Sequence, residues 1–255
     1  MAYRWIRHGV VDSTSERAFA DIASGEARSG DVHIAQGQTA GRGRRGRQWH
    51  SSPDEGLYLS LILMPPPPPL KPAAITIAAG LAVIEALSDL GLPPTGERGP
   101  RLDWPNDVMA GEAKLCGILT ESRGLDPGAP HYVLGIGLNV RQRFFPAELQ
   151  AQQPVTSLTL LGLDVGIEEA ARAVLTRLEG RLHQVRGRHR LLADDFLTAS
   201  HLTDRLVCVH SGKKVRTGRV QGMTLSDGLE LRTDTGEDEV LPLEFVGSVE
   251  FLRED

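Results

Sequence analysis

Residues 38–49 (QTAGRGRRGRQW) decide most about what this chain can fold into. Arg42, Arg44, Arg45 and Arg47 stand within six positions, spaced by Gly41, Gly43 and Gly46. Four guanidiniums so close repel one another, and the glycines between them relax the backbone. The stretch is therefore expected to be a loop without order of its own. An anion with several oxygens would order it, because each guanidinium can fork onto phosphate or carboxylate. Residues 41–46 also spell GxGxxG. A dinucleotide fingerprint must run from a strand into a helix. A strand pattern precedes the loop at 32–36, but residues 48–56 (QWHSSPDEG) are turn-forming and lead into another strand. No helix N-terminus follows to receive a pyrophosphate, which excludes a Rossmann fold. The chain also contains no GxxxxGK[ST], which excludes a P-loop.

The loop is basic, yet the chain of 255 residues carries a formal charge of −5. A local cluster of arginines on an acidic body favours one specific anionic ligand over a general nucleic-acid coat. The hydrophobic fraction of 40% is that of an ordinary globular protein. Cys116 and Cys208 lie far apart in apolar runs, which predicts buried free thiols rather than a disulfide framework. The eight histidines form no zinc-ligand pattern. No apolar run of about 18 residues stands out, and the start of the chain has no signal-peptide core. The expectation is a cytoplasmic protein that engages neither membrane nor DNA.

In chain order, residues 4–11 read as a strand. Ser13 and Glu16 have capping-box spacing ahead of a helix that carries Ala18, Phe19, Ile22 and Ala23 on one face. Residues 57–63 alternate: Leu57, Leu59, Leu61 and Leu63 share one face, Tyr58, Ser60 and Ile62 the other. The leucine face is expected against helices, and the face with the phenol and hydroxyl against a ligand. Pro65 to Pro69 read as a stiff polyproline connector. Residues 73–90 predict a helix, residues 108–120 a hairpin about Gly111, and residues 132–140 (YVLGIGLNV) a strand. Glycine inside that strand points to close approach by a ligand or another backbone. Residues 156–162 read as a short helix, residues 167–185 as a strongly amphipathic one and residues 190–199 as another. From residue 206 the pattern becomes five short strands separated by Ser211-Gly212, Asp227-Gly228 and Thr235-Gly236, which suits a small barrel. A boundary near Thr203 divides the chain into units 1–202 and 203–255.

Polar residues gather at the expected strand ends and loops. Asn106 and Asn139 could meet a base edge, Trp49 or Trp104 could stack on a purine, and Asp107 could hold Mg²⁺. Lys114 could set its ammonium on a phosphate or a reacting carboxylate. Each of these residues alone reads better as a turn, a core contact or an edge charge. Together GRGRRGRQW, WPND, KLCGIL and GIGLNV, in this order and spacing, resemble the bacterial biotin protein ligases. The resemblance is close from Asp12 to about Val140 and looser over the C-terminal strands.

The resemblance implies an α+β fold: a mixed sheet flanked by helices, as in lipoate ligases, with a small SH3-like β-barrel after it. It implies a short-form ligase without a DNA-binding repressor domain. Biotin and ATP would be substrates, Mg²⁺ the metal, and a biotin carrier domain of a carboxylase the partner, with a monomer or a ligand-dependent homodimer as the assembly. Ser13, Thr14, Ser15, Gln38, Gly41, Arg42, Gly43, Arg44 and Lys114 would contact biotin or its adenylate. Tyr58, Ser60, Gly117, Gly135 and Gly137 would line the biotin pocket. Trp49, Asn106 and Asn139 would hold the adenine side, and Arg45, Arg47 and Asp107 the phosphates and magnesium. Lys114, with Arg42 and Arg44, would be catalytic. Three positions depart from the family pattern. Asp103 stands where a basic residue usually precedes WPND, and Arg101 on the same strand face is expected to offset it. Ser15 replaces a frequent asparagine, and Cys116 a small residue. A lipoate ligase of the same fold is the nearest alternative reading. A basic-loop RNA-binding module is the alternative of another class, and the acidic net charge weighs against it.

Overall fold

Strand β3 (Gly56–Leu63) is buried along its whole length, and its two-residue period explains how. Leu57, Leu59, Leu61 and Leu63 alternate onto one side and join the main core. Ile62 turns to the other side and meets Ala18 and Phe19 of helix α1 (Thr14–Ser24), with Val133. A strand read as alternating is thus the centre of a sheet covered on both faces. The computed structural model describes residues 2–65, 68–97, 99–123, 130–187 and 189–252. The polyproline connector expected at Pro65 to Pro69 lies partly outside these residues.

Around β3 run β1 (Arg4–Val11), β2 (Asp31–Gln38), β4 (Pro100–Asp103), β5 (Asp107–Ala110), β6 (Ala113–Ser122) and β7 (Tyr132–Asn139). They form a seven-stranded sheet in the order β1-β2-β3-β7-β6-β5-β4. β1 and β2 are parallel, and α1 makes the crossover that parallel neighbours require. The other pairs are antiparallel, so the sheet is mixed as expected. In the hairpin of β5 and β6, Gly111 takes φ 58, a turn conformation that favours glycine.

Helix α2 (Pro72–Asp89) lies on the leucine side, between the sheet and helix α4 (Ile167–Gly187). At 18 residues this helix is, by length and composition alone, long and apolar enough to cross a membrane, against the expectation that no such run occurs. Its residues are buried round most of its girth, including Ile75, Ile77, Ala78, Leu81, Val83 and Leu87. A helix apolar on all sides is what the centre of a core demands. Helix α5 (His189–Ala199) adds Leu192, Ala193, Phe196 and Leu197 to the same core.

Two local expectations fail. Ser13 is the N-cap of α1, but its side chain makes no capping bond. Glu16 is drawn instead to the guanidiniums of Arg42 and Arg123, whose charge outcompetes a backbone N–H. Residues 156–162 are a turn closed by the Leu161 and Gly162 amides, not a helix. Thr156 and Ser157 spend their bonds on neighbouring segments: the Thr156 carbonyl accepts from Asn139, and the Ser157 hydroxyl donates to the Gln142 carbonyl. The helix in this region is α3 (Ala147–Gln152), which starts after Pro146.

β8 (Leu206–Ser211), β9 (Lys214–Thr224), β10 (Gly228–Thr233), β11 (Asp238–Leu241) and β12 (Val246–Phe251) form a five-stranded antiparallel sheet in the order β11-β10-β9-β8-β12. It fits a small barrel-like unit. Its buried residues Val207, Val209, Val220, Leu229 and Val246 belong to the same core as the first sheet. Trp104 joins the two: its indole N–H donates to the Val246 carbonyl at 3.1 Å, and its ring meets Phe196 edge-on. Trp104 is therefore a core residue, and the purine-stacking option leaves only Trp49. Both thiols are free; Cys116 is buried, and Cys208 is only half-buried, against expectation.

Candidate functional site

The face of β3 opposite the leucines opens into a cleft of about 1080 Å³. One wall is the start of α1. The hydroxyls of Thr14 and Ser15 both meet the Ser60 hydroxyl, at 2.8 and 3.0 Å. Gln38, at the end of β2, accepts from the Thr14 amide at 2.8 Å and donates to Ser51 at 2.9 Å. It thereby ties α1 to the segment that leaves the arginine loop. Tyr58 donates to the Ser52 carbonyl, and burial pushes its phenol well above its ordinary range, so it stays neutral.

The arginine loop is a folded hairpin. Gly43 N–H donates to Arg47 O at 2.8 Å, and Trp49 N–H to Gly41 O at 2.9 Å. Glycine content and charge repulsion predict no such order. Glu16 and Glu121 supply the missing countercharge by pairing with Arg42. Arg42, expected on the ligand, thus has its guanidinium taken by two carboxylates. Arg44 lines the cleft and donates to Asn106 Oδ1 at 3.5 Å. Arg47 also lines it. Arg45 does not: at φ 54 it turns its guanidinium to Gly247 on β12, where an added Cβ would stand 2.5 Å from a guanidinium nitrogen. Gly41 is buried beside the Trp49 carbonyl and Ser51, with room for no side chain.

Gly117, Gly135 and Gly137 all line the cleft. Two of them form a shelf for Trp49. A Cβ at Gly137 would come within 2.5 Å of the indole, and one at Gly117 within 2.8 Å. Close approach was legible in the sequence, but the partner is a side chain from the loop. Gly135 instead faces Ser15.

Lys114 on β6 reaches into the cleft. Its Nζ sits 2.5 Å from Asp107 Oδ2 and 5.6 Å from the centre of the Trp49 ring. Burial pushes the Asp107 carboxyl above its ordinary range, against the pull of the Lys114 ammonium. Asp107 Oδ1 is buried with no partner. One carboxylate with an unpartnered oxygen at the cleft fits Mg²⁺, which takes one or two carboxylates plus phosphate oxygens. Among the described residues no group of three metal-ligating side chains assembles, so the protein alone offers no full cage.

Asn139 closes the cleft at the end of β7. Its amide donates to Thr156 O at 2.9 Å and accepts from Gln142 at 3.3 Å, so it anchors the segment that crosses over the cleft. Asn106 donates to the Ile118 carbonyl. Both still line the cleft, as do Ser13 and Gly43. Arg101 donates to Asp103 at 2.9 Å.

Several lining residues were not foreseen. Phe145, Pro146, Leu149, Gln153 and Val155 roof the cleft because Val155 bridges to Lys114. No local motif marks them. The capping-box spacing of Glu16 does not announce its ion pairs, and no motif marks Glu121 or Arg123.

Residues 8–139 match the biotin/lipoate A/B protein ligase family. The chain is 38% identical over 194 residues to the biotin–[acetyl-CoA-carboxylase] ligase of Mycobacterium tuberculosis, covering 74% of this chain and 67% of that one. It is 36% identical over 152 residues to the bifunctional ligase/repressor BirA of Bacillus subtilis, covering 59% of this chain and 45% of that protein. It thus spans less than half the length of the latter. A biotin protein ligase from Aquifex aeolicus, solved with biotin and ATP, superposes with a TM-score of 0.75 at 28% identity, covering 98% of this chain and 99% of that one.

Proposed function

The chain belongs to the biotin/lipoate A/B protein ligase family, and we propose that within it this protein is an ATP-dependent biotin ligase acting on a biotin carrier domain. One observation carries the reading: Lys114 enters a cleft whose other walls are a hydroxyl cluster on β3 and α1 and an arginine hairpin. Such a cleft suits a small carboxylic acid at one end and a nucleotide phosphate at the other.

In the first step a biotin carboxylate oxygen attacks the α-phosphorus of ATP, forming biotinyl-5′-AMP as the bond to pyrophosphate breaks. Two anions must approach, and Lys114 with Arg44 and Arg47 screens their repulsion. Mg²⁺ held by Asp107 would add charge neutralisation at the phosphates. Leaving Asp107 for a phosphate costs Lys114 little, because one charged oxygen replaces another. Thr14, Ser15, Ser60 and Gln38 would hold the ring end of biotin, and Tyr58 its flank. In the second step the neutral amine of a carrier lysine attacks the acyl carbon, and AMP leaves. The hairpin and Trp49 cover the anhydride and keep water from it. The partner is thus the carrier domain of a biotin-dependent carboxylase, with the protein a monomer or a ligand-dependent homodimer.

The test is ATP–pyrophosphate exchange with biotin and with lipoate offered separately. Biotin-dependent exchange followed by labelling of a carrier domain is expected. Exchange with lipoate alone would overturn the biotin assignment in favour of a lipoate ligase; exchange with neither would overturn both.

A further inference from the structure

The arginine hairpin is tied down by side chains that the ligase chemistry does not use. Arg42, at its base, pairs with Glu16 on α1 and donates to Glu121 on β6 at 2.6 Å. Glu16 also accepts two bonds from Arg123, at 2.8 and 2.5 Å. Arg123 lies over the Phe19 ring at 4.1 Å and stands 4.0 Å from Glu121. The second oxygen of Glu121 is buried with no partner, so its charge depends on Arg42 and Arg123. Lifting the hairpin would strip Arg42 from two half-buried carboxylates and leave Glu121 poorly compensated, which holds the hairpin down.

We propose that Glu16, Glu121 and Arg123 are positioning residues that act through Arg42 to hold the arginine hairpin over the cleft and retain the acyl adenylate until transfer. This rests on the ligase reading above. The clasp is built from the first turn of α1 and the end of β6, so it closes the hairpin from the side opposite Lys114. Arg123, held by Glu16 and by the Phe19 ring, also preorganises Glu16 for Arg42. The Glu16 carboxyl is held down to about 2, first by Arg123 and then by Arg42, so Glu16 stays charged near neutral pH.

The experiment compares the full-length wild type with Glu16→Gln, Glu121→Gln and the charge-keeping Glu16→Asp. Two readouts are taken: the rate of tryptic cleavage within residues 42–47, and the ratio of free biotinyl-AMP released to biotin transferred in a single turnover. Both glutamine variants are expected to be cut roughly fivefold faster, in proportion to the larger open population. They should also release several-fold more adenylate per transfer, and Glu16→Asp should return toward wild type. A purely structural role would lower the thermal midpoint without moving the release ratio. Should Glu16→Gln fail to fold, Glu121→Gln, which weakens the pairing with Arg42 and Arg123 but leaves Glu16 in place, carries the test. Unchanged cleavage and an unchanged release ratio in the folded variants would overturn the clasp. If wild type makes no adenylate from biotin, the ligase reading fails, and the cleavage comparison still judges the clasp alone.

Discussion

Replacing Gly137 by alanine puts one methyl group under the Trp49 indole and almost nowhere else. The added Cβ would stand 2.5 Å from Cε2 and Nε1 of the ring and 3.0 Å from Cζ2. Carbon atoms pack at about 3.5–4.0 Å, so the ring must lift by about 1 Å. Gly137 has no positive φ, so alanine is compatible with the backbone, and the change carries no conformational penalty of its own. The strain therefore falls on the hairpin that bears Trp49 rather than on the sheet. Overpacking a closed core costs roughly 1–3 kcal/mol, and a hairpin that can yield should bring the stability loss below about 1 kcal/mol. A displacement of about 1 Å at the reacting groups, by contrast, can cost about a hundredfold in rate. The expected result is a large fall in ATP–pyrophosphate exchange with a thermal midpoint within about 3 °C of wild type. Gly135→Ala is the control. Its Cβ would meet Ser15 Oγ at 3.3 Å, a contact that a few tenths of an ångström relieves, so exchange should fall far less. Equal exchange in Gly137→Ala and wild type would refute the claim that the indole rests on the β6–β7 shelf. Equal losses in both variants would show that any methyl on β7 harms the cleft, whatever Trp49 does.

Lys114→Ala should abolish adenylate formation, as followed by pyrophosphate release, because among the described residues Lys114 is the ammonium paired with Asp107; carrier labelling at the wild-type rate would refute its role. The Glu16 carboxyl sits at about 2 in the folded protein against an ordinary 4.5, so the stabilisation it provides is complete above 4.5. It is lost as the pH falls from 4.5 through 2, and hydrogen exchange of the hairpin amides, corrected for intrinsic rates, should rise across that window in wild type and not in Glu16→Gln.

Periodicity made the central sheet legible. Alternation in β3 told which side carried the leucine core and which opened on the cleft, because side chains in a strand must alternate, but not that helix α1 also covers the second side. The glycines of β7 announced close packing, and the turn dipeptides marked the second sheet, because φ/ψ limits act within a few residues. The family resemblance, carried by short motifs, implied that Lys114, Asp107, Arg44 and the hydroxyls of Thr14, Ser15 and Ser60 share one site, and the fold brings them to one cleft. What it did not determine were pairings between distant segments. Glu16 reads as a capping residue until the fold brings Arg42 and Arg123 beside it, since a cap and an ion pair compete for the same carboxylate. Arg45 and Arg47 look equivalent in a line of arginines, and only a left-handed turn at Arg45 sends one to Gly247 and leaves the other in the cleft. The roof from Phe145 to Val155 carries no periodic signal, because its place comes from distant contacts, the bridge of Val155 to Lys114 and the bond from Asn139 to Thr156 among them. Local sterics and hydrophobic alternation are written into neighbouring residues; electrostatic partners are chosen only when the folded chain decides which charges share a low-dielectric corner.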